Sequence, residues 1–89
     1  MTIWTLQTST TFKKQLNALE RVQKERILKF FKTRVLTADN PRTLAKSLSG
    51  ELAGYWRFSV GNYRIIADIQ DEACIIIGID VGHRREIYD

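Results

Sequence analysis

At 89 residues, with 44% apolar side chains, a net charge of +4 and one cysteine, the chain has the composition of one small globular domain, residues 1–89, and lacks the material for a second core. The lone Cys74 excludes an internal disulfide framework or a cysteine-based zinc site, no clustering of cysteines or carboxylates points to a metal or cofactor, and no apolar run nears the roughly 18 residues of a membrane span. "MTIWTLQTST" lacks a signal-peptide layout, so the expectation is a cytoplasmic protein with no membrane partner.

In chain order, "TIWTLQT" alternates in a threonine-rich background and reads as a short strand. Ser9 or Thr10 then supplies a hydroxyl N-cap. Phe12, Leu16 and Leu19 recur at spacings of four and three, followed by Val22, Ile27, Phe30, Phe31 and Val35 or Leu36. This period marks an apolar helical stripe, with lysines and arginines on the other faces. A phase slip between Leu19 and Arg26 predicts two helices, broken around Glu20 to Val22. Asn40-Pro41 ends the helical hairpin, and Gly50 and Gly54 bracket a short connection.

From there the period changes to two. "GYWRFSV" turns at Gly61-Asn62 into "YRIIADI", which turns at Gln70-Asp71-Glu72 into "ACIIIGIDV". Connections this short join antiparallel neighbours. The last strand is too continuously apolar for an edge, and Cys74 within it reads as an inert buried hydrophobe. The predicted fold class is α+β: an N-terminal strand, a helical hairpin and a three-stranded antiparallel meander, stacked in two layers.

Alternation assigns Trp56, Phe58 and Val60 to the core and Tyr55, Arg57 and Ser59 to the opposite face. In the next strand Tyr63, Ile65, Ala67 and Ile69 face inward, while Arg64, Ile66 and Asp68 face outward. Arg57 and Arg64 then lie within reach across strands. The last strand returns antiparallel and carries "GHRREIY" to the same end of the sheet, where its arginines join that cluster. Converging arginines with a tyrosine and a histidine suit an RNA phosphate site. Plainer readings exist: Arg57 and Arg64 as surface ion pairs with Asp68 or Asp80, His83 as a loop residue, and Tyr88 as a ring laid over the sheet edge.

Charge is unevenly distributed. Residues 1–50 hold ten basic and three acidic side chains, whereas residues 51–89 hold four basic and seven acidic. The basic helices would attract a polyanion or an acidic partner segment.

The run "LSGELAGYWRFSVGNYRIIADIQDEACIIIGIDVGHRREIY" resembles the RelE/ParE superfamily of bacterial type II toxins. It carries the Leu-x-Gly segment, the Trp-Arg strand, the Gly-x-Tyr-Arg turn and the terminal Val-Gly-His/Lys-Arg segment ending near a tyrosine. The resemblance implies a RelE-like two-layer fold and an mRNA interferase that enters the ribosomal A site and cuts message. It also implies an acidic RelB-like antitoxin as partner, with operator DNA as a further target of the toxin–antitoxin complex. Arg64, Arg84 and Tyr88 match the family's catalytic positions; His83 stands where some relatives carry lysine and competes with Tyr88 as proton carrier. Arg57 and Arg85 fall to RNA binding. The chain departs from the pattern at Ser59, where RelE enzymes place a second basic residue. The alternative branch, ParE-like, inhibits DNA gyrase without catalysis and would work through the helical hairpin.

Overall fold

The computed structural model describes residues 3–85. Strand β1 (Thr5–Thr8) leads into helices α1 (Thr10–Ala18) and α2 (Arg21–Phe30), and α2 continues as a π-helical turn over Phe31–Val35. Strands β2 (Lys46–Ser47), β3 (Trp56–Val60), β4 (Tyr63–Gln70) and β5 (Ile75–His83) complete a five-stranded sheet of order β1-β5-β4-β3-β2. The expected helical hairpin and meander are present. The N-terminal strand adds to the sheet in parallel, beside β5, so β5 is interior, as its apolar run requires.

Helix α1 starts where its capping chemistry does. The Ser9 hydroxyl accepts the Phe12 N–H at 3.0 Å and itself donates to the Ile79 carbonyl at 3.2 Å. One side chain thereby caps the helix and ties it to β5. Ser9→Ala is expected to cost about 1 kcal/mol of stability, measured as a shift in the urea midpoint at unchanged slope; an unchanged midpoint would show the cap to be dispensable. The break between helices falls at Leu19 and Glu20, at the N-terminal margin of the expected Glu20 to Val22.

The helices bury Phe12, Leu16, Ile27, Phe31 and Val35 against Phe58, Val60, Ile65, Ala67, Ile69, Ile76 and Val81 of the sheet. In the π turn the Leu36 N–H bonds to the Phe31 carbonyl at 2.8 Å. This wider turn lets Phe31 and Val35 both reach the core while Leu36 packs at its margin.

Two local expectations are corrected. The stretch between Pro41 and Gly50, where no strand was expected, contains β2, a two-residue edge strand too short to carry an alternation signal. Cys74 lies not in the last strand but in the turn before it, half-buried, with φ 53. Its N–H bonds to the Asp71 carbonyl at 3.1 Å, and closing the tight turn holds it in the left-handed region that non-glycine residues seldom occupy.

At this end of the sheet Arg42 grips both oxygens of Asp71, at 2.7 and 2.8 Å, and lies over the Trp56 ring, 5.5 Å from its centroid. The hydrogen-bonded Arg42 guanidinium holds the Asp71 carboxyl below its usual value. A depressed folded pKa means that the bridge contributes stability above the ordinary carboxylate value of about 3.9 and loses it as pH falls through the folded value. The acid limb of stability against pH, followed by urea unfolding from about pH 5 to pH 2, should therefore be shallower in Asp71→Asn; a limb of equal slope would mean the bridge carries no net stability.

Candidate functional site

The sheet face turned away from the helices is built by cross-strand register. Lys46 pairs with Arg57, Arg57 with Ile66, Ser59 with Arg64, and Arg64 with Gly82. Residues directly opposite share a face, so Lys46, Arg57 and Arg64 emerge together, with Arg57 and Arg64 as diagonal neighbours on adjacent strands. Ile66, 2% exposed, forms an apolar floor between them. Sequence alternation assigned it to the solvent side; the face is right, but the residue is covered.

Small residues flank Arg64 on both sides, Ser59 on β3 and Gly82 on β5, which leaves room for its long side chain. Its Nη1 donates to the carbonyls of Gly61 and Tyr63, at 3.0 and 3.1 Å. The arginine is thereby braced against the β3–β4 turn. That turn is a two-residue loop with Gly61 at φ 57, the left-handed geometry that the first position of a type II′ hairpin turn requires. Arg57 is less exposed than expected: its Nε and Nη1, like Nε of Arg64, are withdrawn from solvent. Charges held in such surroundings interact with an anion more strongly than charges in open water.

Arg84 is exposed and follows β5 directly; its N–H bonds to the Asn62 carbonyl at 2.7 Å. This bond fastens the chain beyond β5 to the hairpin turn beside Arg64, two residues past Gly82. Arg85 is exposed in the same turn. Tyr88 lies outside the described residues.

His83 is separated from Arg57 and Arg64. It pairs with Tyr63, and their rings meet edge to face at 5.7 Å; Tyr63 packs against the core margin, on the side of the sheet opposite Arg64. The Arg85 N–H donates to His83 Nδ1 at 3.2 Å, which leaves the proton of the neutral ring on Nε2. The cause is a bulge in β5. Ile66 pairs with Asp80 but Ala67 pairs with Gly78, so Ile79 has no partner on β4. Ile76 and Gly78 face the helices before the bulge and Val81 faces them after it, a change of phase that sends His83 inward and aligns Gly82 with Arg64.

The two carboxylates considered as partners for the arginines accept from side-chain amides. Asp80 accepts from the Gln15 amide, and the same Gln15 receives the Val81 N–H at 2.9 Å. Asp68 accepts from Gln70 at 3.2 Å. The basic residue that sequence reading missed is Lys46, beside Arg57; with only two residues in its strand, no periodicity could have placed it there. Among the described residues, no group of three or more His, Cys, Asp or Glu side chains could hold a metal ion, and no helix is long and apolar enough to cross a membrane.

Comparison with known proteins places this architecture. Solved structures similar to it include the RelBE2 toxin–antitoxin complex of Mycobacterium tuberculosis, at 27% identity over 94% of each chain with a TM-score of 0.85. The archaeal RelE–RelB complex of Pyrococcus horikoshii matches at 19% identity over 96% of this chain and 99% of that one, TM-score 0.71. The isolated E. coli RelE toxin matches at 17% over 90% and 83%, TM-score 0.70; these last two likenesses are of fold. No curated protein sequence matches. The family model for the ParE toxin of the type II toxin–antitoxin system parDE matches residues 6–88, and the chain therefore belongs to the RelE/ParE superfamily as a toxin of a type II toxin–antitoxin system.

Proposed function

We propose that this toxin is a RelE-type, ribosome-dependent mRNA endonuclease that acts in the cytoplasm and is held inactive by an acidic RelB-like antitoxin. The observation that carries the reading is the outer-face register: Arg57 and Arg64 on neighbouring strands over an apolar floor, with the Arg84 backbone fastened to the turn beside them. Adjacent fixed cations on one face concentrate positive potential, which favours approach of a polyanion.

Cleavage of RNA by its own 2′-hydroxyl forms an O–P bond to the adjacent phosphorus and breaks the bond to the 5′-oxygen, leaving a 2′,3′-cyclic phosphate. In this reading Arg64 grips the scissile phosphate through its guanidinium fork, and Arg84 neutralises charge towards the leaving oxygen. Arg57 holds a neighbouring phosphate, and Arg85 adds to the field at the rim. Of the two proton carriers implied by the family resemblance, Tyr88 is preferred to His83, whose Nδ1 already accepts a backbone N–H and whose ring lies with Tyr63 on the other side of the sheet. The ribosome would supply in-line alignment of the message.

The second reading, a gyrase inhibitor, is favoured by the ParE description of the family model and by the basic helical hairpin. Primer extension on a reporter message after brief induction separates the two. Discrete new 5′ ends within the translated frame are expected for the nuclease; intact message with growth arrest and broken DNA would transfer the function to gyrase.

A further inference from the structure

Strand β5 outruns its parallel neighbour. Strand β1 pairs with Ile75 to Gly78, and the chain then leaves the sheet to start α1. From Ile79 onward that edge of β5 has no strand beside it, yet this is the stretch that contains the bulge and brings Gly82 to Arg64. An open strand edge ordinarily leaves its backbone groups to water. Here the first helix and its cap take them instead. The Ser9 hydroxyl donates to the Ile79 carbonyl at 3.2 Å, Gln15 Oε1 accepts the Val81 N–H at 2.9 Å, and Gln15 Nε2 donates to the Asp80 carboxylate. Three successive residues of the bulged segment are thus held from one element, two of them by a single amide that accepts through its oxygen and donates through its nitrogen. Gln15 and Asp80 are both half-buried, which shields the pair from competing water.

We propose that Gln15 is a positioning residue of the candidate site: from α1 it locks the β5 bulge in register, and so fixes Gly82 beside Arg64 and Arg84 against the hairpin turn. The reason lies in the period of a strand. Were the unpaired position to move from Ile79 past His83, Gly82 would turn towards the helices and His83 would come out beside Arg64. Gln15 opposes that slip because its two bonds require the Val81 N–H and the Asp80 carboxylate to be presented to α1 together. Its effect passes along the backbone to the Arg84 N–H, whose bond to the Asn62 carbonyl closes the site end of β5 onto the turn that Arg64 braces.

The inference rests on the proposed nuclease for its catalytic readout but not for its structural one, so the two can fail separately. Gln15→Met keeps the length of the side chain and removes both bonds. Gln15→Glu keeps an acceptor for the Val81 N–H but sets a second carboxylate against Asp80. Adding Asp80→Asn to Gln15→Glu reverses donor and acceptor across the pair and restores both bonds. Each full-length protein is checked for folding by circular dichroism and thermal midpoint. Amide exchange at Val81 and Arg84 is then followed by NMR, and cleavage of ribosome-bound message is measured well below the midpoint.

Faster exchange at both amides is expected in Gln15→Met and Gln15→Glu, with kcat roughly tenfold lower or worse, and both properties should return towards the parent in the double variant. A contribution to stability alone would lower the midpoint and leave the kcat of the folded protein unchanged, which would overturn the proposal. Parent-like exchange at Arg84 in Gln15→Met, or a double variant no better than Gln15→Glu, would overturn it equally. The expected order of exchange rates in a set of proteins none of which cuts message would uphold the clamp and dismiss the nuclease reading.

Discussion

Replacing Arg64 by alanine is expected to slow cleavage of ribosome-bound message by roughly 10²-fold or more, the usual loss when one oriented charge donor leaves a phosphoryl-transfer site. Arg84→Ala should fall in the same range, and Arg85→Ala, at the rim, should lose much less. The loss at Arg64 should appear mainly in kcat if the guanidinium meets charge that develops only in the transition state, and in KM if it binds substrate and transition state alike. Arg64 also donates to the Gly61 and Tyr63 carbonyls, so alanine removes a brace of the turn as well as a charge. Arg64→Lys separates the two contributions, because it keeps the charge but loses the planar fork; a rate between those of alanine and the parent, at unchanged thermal midpoint, assigns the loss to chemistry. Parent-like rates in both Arg64→Ala and Arg84→Ala would remove this face from the function. A His83→Ala protein that cuts at the parent rate would fit the placement of that ring, whereas a loss comparable to Tyr88→Phe would return the proton to histidine.

The largest expected effect on stability is at the contact between α1 and β5. Phe12 is 1% exposed and its ring covers Gly78: a Cβ at that position would lie 2.9 to 3.0 Å from three ring carbons. Helix and strand approach so closely because residue 78 has no side chain. Phe12→Ala empties this space and should cost about 3–5 kcal/mol, a large share of the 5–15 kcal/mol that holds a typical domain together. Gly78→Ala acts in the opposite direction, by overfilling, and should cost about 1–3 kcal/mol. The two substitutions share one volume, so the double variant should be more stable than the sum of the single losses predicts. Urea unfolding of the four proteins measures this coupling; strict additivity would show that the ring and the glycine do not meet in solution. Since β5 also carries Gly82 and leads into Arg84, the packing that sets the stability of this strand also holds the candidate site in place.

The order of elements, the helical break, the Ser9 cap, the Gly61-Asn62 turn and the shared face of Arg57 and Arg64 were legible in the sequence. Each rests on chemistry within a few residues: an apolar period, a hydroxyl before a helix, a glycine at a turn, a two-residue alternation across a short hairpin. The family resemblance, too, was carried by local strings such as "GNYR" and "VGHRR". What lay beyond local reading depends on pairing between distant segments. Lys46 joins Arg57 because a two-residue strand lands beside β3, and β1 runs parallel to β5 across the whole helical hairpin. Cys74 is turned out of the strand by closure of a tight turn. The bulge at Ile79 has the greatest consequence. Unbroken alternation from Ile76 and Gly78 would have sent Gly82 towards the helices and His83 out beside Arg64; one unpaired residue reverses this. Side-chain direction along a strand has a period of two, so a single insertion in register exchanges the faces of everything after it, and only the packed sheet decides where that insertion falls.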